Sequence, residues 1–368
     1  MQTIWKTIKQ FAYLIVFIVP AMVMAGAVWG GIWSFLTPLT AFGLIPLIDL
    51  LVGEDRTNYS DAETQQLDTA LYYRLITWLF VPAYYLTLGM LLYRTMTVEW
   101  PLANLIGNMW SMGILGGILI VVAHELGHKH NRFEKWLAKV LLHAVWYGHF
   151  MNEHNRGHHA LVSTPEDPAS ARLGESFYRF LPRTIVGTFR KACELENERL
   201  ARLGHPAWHW QNEMYRNVLI PLAVLVMIIV IGERLALGKG WLMGTIFVAQ
   251  AAIGIVLLEV VNYLEHYGLT RARLPDGRYE RVQPIHSWNA NHLVSNCFLY
   301  HLQRHADHHT WPGRRYQTLR AFDEAPQLPT GYAGMIWLAA IPPLWFAVMN
   351  PRVDAFARTR QTVPQPGV

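Results

Sequence analysis

Cys193 and Cys297 are the only cysteines among the 368 residues, too few for a disulfide framework, a zinc ribbon or a cysteine-bound iron–sulfur cluster within one subunit. Charge is scarce as well: 15% of residues are Asp, Glu, Lys or Arg, against 52% hydrophobic. Soluble chains carry about 25% charged residues, so the composition argues against a pair of water-soluble domains. The formal charge of +5 is too modest to mark a nucleic-acid-binding surface and follows membrane topology better. No repeat of fixed period is present, which excludes a solenoid or propeller.

What the sequence does have is a series of apolar runs long enough to cross ~30 Å of hydrocarbon. Residues 11–31 and 33–51 read as a tight transmembrane hairpin turning at Gly30 and Gly31. Pro20 predicts a kink in the first run, which is too long, and too closely followed by a second, for a cleaved signal peptide. Further runs cover residues 75–92, 102–123 (ending at His124), 218–231 with flanks, and 241–264. A seventh, residues 334–349, is broken by Pro342 and Pro343 and reads as a buried or interfacial segment; residues 361–368 read as a disordered tail. The expected fold is an all-α integral membrane protein with six transmembrane helices and a histidine-rich catalytic cap on the cytoplasmic side. Its blocks are helices one to four (1–123), a first catalytic segment (124–217), helices five and six (218–264) and a last catalytic segment with an interfacial region (265–368). Lys and Arg crowd the segment between the fourth and fifth runs, from Lys129 to Arg216, while the opposite loops offer little beyond Arg94, Arg234 and Lys239. The positive-inside rule then puts both termini and the catalytic segments in the cytoplasm.

The seventeen histidines supply the ligands that the cysteines do not. His124 and His128, in His-Glu-Leu-Gly-His, stand four apart and share one face of a helix. His154, His158 and His159 repeat that spacing and add a neighbour rotated by about 100°, so His158 and His159 can serve different metals. His305, His308 and His309 again cover one helical face, and His266 ends the sixth run. These are too many ligands for one metal at four- to six-fold coordination, so two metals is the economical reading. Glu125, Glu153, Asp167, Glu265 and Asp307 flank these groups and are expected to accept the outer ring N–H of a ligating histidine or, for some, to ligate directly. His130, His143, His149, His205, His209, His286, His292 and His301 are taken as ordinary core or surface residues.

His-Glu-Leu-Gly-His also fits a zinc metalloprotease, with Glu125 activating water, but a protease would leave two histidine groups unemployed. A transporter passing metal along its histidines is a further alternative. Imidazole alone does not choose between iron, zinc and copper. Iron is favoured by chemistry: an apolar substrate dissolved in lipid offers no polar bond to hydrolyse, whereas iron with dioxygen can attack an unactivated C–H bond.

The runs 124–129 (HELGHK), 153–159 (EHNRGHH), 262–268 (NYLEHYG) and 302–309 (LQRHADHH) together resemble the membrane-bound alkane monooxygenases, within the wider superfamily of membrane desaturases and hydroxylases. The resemblance extends to Gly53-Glu-Asp55, Thr164-Pro-Glu-Asp-Pro168, Gly174-Glu175, His286-Ser-Trp-Asn289 and Leu328-Pro-Thr-Gly-Tyr332. It implies two non-haem irons on the nine histidines, no haem, flavin or iron–sulfur group in this chain, and hydroxylation of the terminal methyl of medium- or long-chain n-alkanes with O2. It also implies a bacterial inner-membrane location and electrons from rubredoxin, itself served by rubredoxin reductase. A related hydroxylase or desaturase of other lipids or aromatic methyl groups is the alternative. The same resemblance matches Ala41, on the second run, to a position that limits substrate length when bulky; close helix packing is the plainer role for so small a residue. Rubredoxins are acidic as a family, so Lys129, Arg132, Lys135, Lys139, Arg304, Arg314 and Arg315 are candidate docking residues, with contacts to anionic membrane lipids as the simpler use of such charges.

Overall fold

The computed structural model describes residues 10–235 and 238–362. Among the described residues six helices are long and apolar enough to span a membrane: α1 (Gln10–Trp29), α2 (Gly31–Val52), α3 (Leu71–Thr97), α4 (Leu102–Gly127), and the pair Glu213–Leu235 and Gly240–His266. Between the fourth and fifth spans lie α5 (Arg132–Ala144) and α6 (Phe177–Arg202), so the last two spans become α7 and α8. Towards the C-terminus follow α9 (His305–Thr310), α10 (Tyr332–Ala339) and α11 (Pro342–Thr362). The described residues hold no strand, only isolated bridges such as Glu54 with His292.

Most of the predicted runs sit inside these spans, which extend past them because polar end turns continue the hydrogen bonding. At α10 and α11 the chain turns through 119° around residues 340–341, and Pro342 opens the second helix where its missing N–H costs nothing. Gln361 and Thr362 belong to the last turn of α11, contrary to the expectation of a disordered tail from residue 361; residues 363–368 lie outside the described residues.

α4 is the most enclosed span, with 72% of its apolar window buried, whereas α2 and α7 bury only 17%. Small residues let α4 approach α8: a Cβ on Gly113 would meet Ile253 at 2.5 Å, and one on Gly254 would lie 3.0 Å from the Gly116 backbone. Such stripes are how membrane helices gain dispersion contact without a hydrophobic driving force.

Proline shapes the first two spans. Pro20 removes the N–H that would bond the Val16 carbonyl, and the preceding turn, Tyr13–Phe17, tightens to 3-10 geometry. In α2, Pro46 cannot donate to the Phe42 carbonyl, which instead accepts the Trp337 indole N–H at 2.7 Å. The backbone next to it, Thr40–Leu44, opens into a π-turn. Freed carbonyls inside a bilayer are tolerable only when recaptured in this way.

Residues 124–217 do not form a cap lying wholly beyond the spans. α5 runs back alongside them, and its last carbonyl, Ala144, accepts Gln250 Nε2 at 2.9 Å, while Gln250 Oε1 takes the Tyr84 hydroxyl at 2.9 Å. Gln250 lies mid-way along α8, so α5 dips into the bundle before the chain returns towards His154. Its apolar face, with Leu137, Leu141 and Leu142 fully buried, outweighs the few charges near its start.

Candidate metal centre

α4, α8 and α9 each deliver histidines from their ends, and the segment after α5 delivers the rest. All nine box histidines come together in two groups: His124, His128, His154, His159 and His308 in one, and His158, His266, His305 and His309 in the other. Within each group the ligand atoms lie within 4.8 Å of one another. Both adjacent pairs, His158–His159 and His308–His309, are divided between the groups, because consecutive helical residues point about 100° apart.

The expectation that His154 and His158 share a face needs correction. His154–His158 is a π-turn, in which the backbone partner is five residues on rather than four. The sharing pair is therefore His154 and His159, with their Nε2 atoms 3.1 Å apart, and His158 is released to the other group. Glu153 reinforces the wide turn by accepting the backbone N–H of His158. His305, His308 and His309 likewise split: His305 and His309 approach to 2.9 Å, while His308 reaches His159 at 3.1 Å.

The orientation of the rings tests whether these groups fit a metal. His158 Nδ1 lies 2.9 Å from Asp167 Oδ2, and His266 Nδ1 lies 3.2 Å from the His286 carbonyl. Both partners accept only, so each ring carries its proton on Nδ1 and turns a bare Nε2 lone pair inward. There, His158 Nε2 stands 3.2 Å from His309 Nε2, and His266 Nε2 stands 3.2 Å from His305 Nε2. Nitrogens bound at about 2.0–2.1 Å to one ion are separated by roughly 3 Å, which matches this spacing. His124 Nε2 and His128 Nε2 are buried with no protein partner among the described residues, which suits atoms that would ligate an ion. The donor set fits two metal ions.

Burial first, and then the crowding of like imidazoles, holds His128, His154, His159, His305, His308 and His309 well below the ordinary value of 6.5. All are neutral near pH 7, the form that coordinates.

The flanking acids do different work. Burial opposes ionisation of Asp167, but His158 at its side, the Ser170 hydroxyl at 2.6 Å and the Ala169 N–H bring its carboxyl below the usual range. Glu265 accepts the Tyr332 hydroxyl at 2.9 Å, and its other oxygen lies 3.1 Å from His305 Nε2. That oxygen is on the ligating edge of the four-histidine group. Glu125, by contrast, pairs with Lys129 at 2.9 Å and accepts the Tyr316 N–H, and Asp307 is held by Arg320 and Arg314 at 2.9 and 3.2 Å. Neither hydrogen-bonds a histidine, because each leaves its helix on the side away from the rings. Glu153 is buried with Oε1 unpartnered among the described residues, and burial raises its carboxyl.

The basic docking candidates also divide. Arg132 and Lys135 are exposed. Lys139 is tied to Glu213 at 3.0 Å, Arg314 to Asp307, and Arg315 to Glu134 at 3.1 Å through both nitrogens. Lys129 and Arg304 are 3% and 2% exposed, which removes both from any docking surface. Arg304 instead clasps the Asp55 and Leu319 carbonyls at 2.6 Å, and Lys129 donates to the Arg314 carbonyl at 2.7 Å.

Beneath the histidines lies a narrow apolar cavity of about 100 Å³ between α1, α2, α4, α8 and α10, lined at one end by Val121, Val261, Leu302 and Tyr332 and farther out by Ala41 and Ile114. Val121 precedes His124 by one turn and Leu302 precedes His305 by three residues, so the inner end abuts the metal centre. Ala41 sits in the π-turn of α2. Tyr332 joins cavity to centre through its bond to Glu265. Its motif was visible in the sequence, but no spacing rule pointed to its hydroxyl. The Tyr147–Glu259–Thr184 cluster, with bonds of 2.6 and 2.8 Å, was likewise invisible, since its members are scattered along the chain.

Residues 99–339, more than half of the chain, match the fatty acid desaturase family. Over 90% of its length the chain is 46% identical to alkane 1-monooxygenase 2 of Pseudomonas aeruginosa, covering 87% of that protein. It is 42% identical over 89% of its length to alkane 1-monooxygenase 1 of Alcanivorax borkumensis, covering 79%. Identity is 28%, over 92% of the chain and 87% of the relative, for the xylene/toluene monooxygenase hydroxylase component of Pseudomonas putida. The chain belongs to the fatty acid desaturase family, on the branch of the alkane 1-monooxygenases.

The depressed histidines set a pH dependence. Below about 6.5 the unfolded chain takes protons that the folded chain refuses, so the metal-free protein loses stability as pH falls through that value and gains nothing from these groups above it. Metal-free protein is expected to melt several degrees lower at about pH 5.5 than at about pH 7.5; equal melting points would show that the rings are not buried as neutral bases.

Proposed function

We propose that this multi-pass membrane protein is an O2-dependent alkane 1-monooxygenase, converting the terminal methyl of n-alkanes to a primary alcohol at two irons. The observation that carries the reading is the apolar cavity whose inner end abuts two groups of imidazoles. Kinship with named alkane 1-monooxygenases supports the same conclusion, and the lower identity to the xylene/toluene enzyme makes an aromatic methyl the second choice. Glu125 faces Lys129 rather than the rings, which argues against the water-activating role a zinc protease would require.

His124, His128, His154, His159 and His308 would hold one iron, and His158, His266, His305 and His309 the other, with the Glu265 carboxylate able to enter the second set. Iron bound there supplies the oxidising chemistry that hydrocarbon side chains cannot. The chain's own residues do the rest. Asp167 and the His286 carbonyl keep protons on the outer ring nitrogens, so that Nε2 stays basic. Tyr332 fixes Glu265. Val121, Val261 and Leu302 exclude water and offer a hydrocarbon chain only apolar contact, which leaves its end rather than its middle against the metal centre.

With two cysteines the chain cannot build an iron–sulfur cluster of its own, so electrons would come from a partner, for which rubredoxin is the proposed donor. Arg132 and Lys135 are the candidates still open to solvent, on the face that the Lys and Arg bias assigns to the cytoplasm.

Purified protein is expected to contain two irons per chain and to form 1-alkanol from n-alkane, O2 and a reduced rubredoxin system; zinc in place of iron, or no alcohol, would reject the proposal. Asp167→Ala and Glu265→Ala should each lower iron content after purification, and full iron in both would separate these acids from the metals. Ala41→Trp narrows the cavity and should shift products towards shorter alkanes; an unaltered product range would take Ala41 out of the substrate path.

A further inference from the structure

A second and larger opening, about 640 Å³, lies on another flank of the bundle between α3, α5 and α7. Its polar groups gather at one end, where Lys139 and His143 of α5 meet Glu213, Arg216 and Asn217 from the first turns of α7. Beyond them the lining is hydrocarbon. Val224 and Ile228 stand roughly 12 and 18 Å deeper than Arg216 along the helix axis, at 1.5 Å per residue, and Leu88 and Leu92 of α3 face them. Ordered water cannot fill such walls, since it finds no polar partners there.

The charges at the polar end do not cancel. Lys139 is paired with Glu213 at 3.0 Å, and His143 Nε2 meets Asn217 Oδ1 at 3.3 Å. Arg216 is exposed and makes no hydrogen bond or ion pair among the described residues. The end therefore presents one uncompensated guanidinium with an ammonium beside it. Trp136 is 57% exposed at the rim, and the Tyr85 hydroxyl bonds the Val140 carbonyl at 2.7 Å. Amphipathic rings of this kind sit where hydrocarbon meets headgroups.

We propose that this groove is a binding site for one anionic phospholipid of the leaflet on the metal side, its phosphate on Arg216 beside Lys139 and an acyl chain laid between α3 and α7. Arg216 is suited to phosphate because its fork can donate two parallel bonds. The site also braces the metal centre. Gly148, on the return from α5 to His154, packs so tightly on α7 that a Cβ there would lie 2.7 Å from Asn217 Oδ1. A lipid holding α5 and the start of α7 together thus supports the segment that carries His154, His158 and His159.

The test is native mass spectrometry of the iron-loaded enzyme, with phosphatidylglycerol and phosphatidylcholine of equal chain length added in parallel, together with melting curves in each lipid. One phosphatidylglycerol should be retained under activation that strips phosphatidylcholine, and should raise the melting temperature. Arg216→Gln should weaken its retention about tenfold and abolish that rise while keeping the wild-type melting temperature in phosphatidylcholine. Arg216→Lys should recover part of the retention, and Arg179→Gln, exposed and outside the groove, should change nothing. Val224→Trp, which fills the hydrocarbon end but leaves the charges, should also release the lipid. Equal retention of the two lipids, undiminished retention in Arg216→Gln, displacement of the lipid by n-alkane, or closure of this flank by a second copy of the chain would each overturn the proposal.

Discussion

Facing lone pairs repel. Several imidazole nitrogens brought to about 3 Å of one another, those of His158 and His266 bare because the ring's proton is engaged on the far side, are stable only around a shared cation. This constraint organises the membrane-proximal half of the molecule. The ends of α4 and α8 and the short α9 present Nε2 atoms to a common region, and Asp167 and the His286 carbonyl hold the His158 and His266 protons outward. Asp167 is the best example: burial works against its charge, yet the His158 ring and the Ser170 hydroxyl keep it ionised. Folding and metal binding are consequently one problem, as in other sites whose ligands have no alternative partners.

The same geometry separates a wet chemical problem from a dry one. The cavity under the histidines is walled by hydrocarbon, so on the proposed function selectivity for a chain terminus would follow from shape rather than from any group that recognises the substrate. Glu265 and Tyr332 stand at this boundary. Tyr332 lines the cavity and holds Glu265, whose other oxygen lies beside His305, so the pair links cavity to imidazoles.

Spans and ligand types were legible in the sequence because they rest on local rules: apolar runs longer than a bilayer, and histidines at helical spacing. The partition of those ligands was not. An α-helical reading pairs His154 with His158; the π-turn pairs it with His159, and nothing in the composition of that segment announces a wider turn. α5 was likewise hidden, since Lys135, Lys139 and the nearby arginines made it look like a surface element, whereas Leu137, Leu141 and Leu142 pull it into the bundle. Asp167 accepts from His158 as its neighbourhood suggested, but other acids and cations turned elsewhere in a consistent manner. Adjacency in sequence to a histidine does not fix which way a side chain leaves the helix, so Glu125 and Asp307 turned towards Lys129, Arg314 and Arg320. Burial likewise claimed Arg304 for carbonyls near the start and the end of the chain.

The bond from the Trp337 indole to the Phe42 carbonyl joins residues 295 positions apart. Chains are made from the amino end at about 5–20 residues per second, so α2 must wait many seconds in the bilayer with that carbonyl unanswered before its partner is even synthesised. The wall of the hydrocarbon cavity is thus among the last parts to be finished. A nascent or truncated chain lacking α10 would have its first hairpin and all nine histidines in place but one wall of the hydrocarbon chamber still open to lipid.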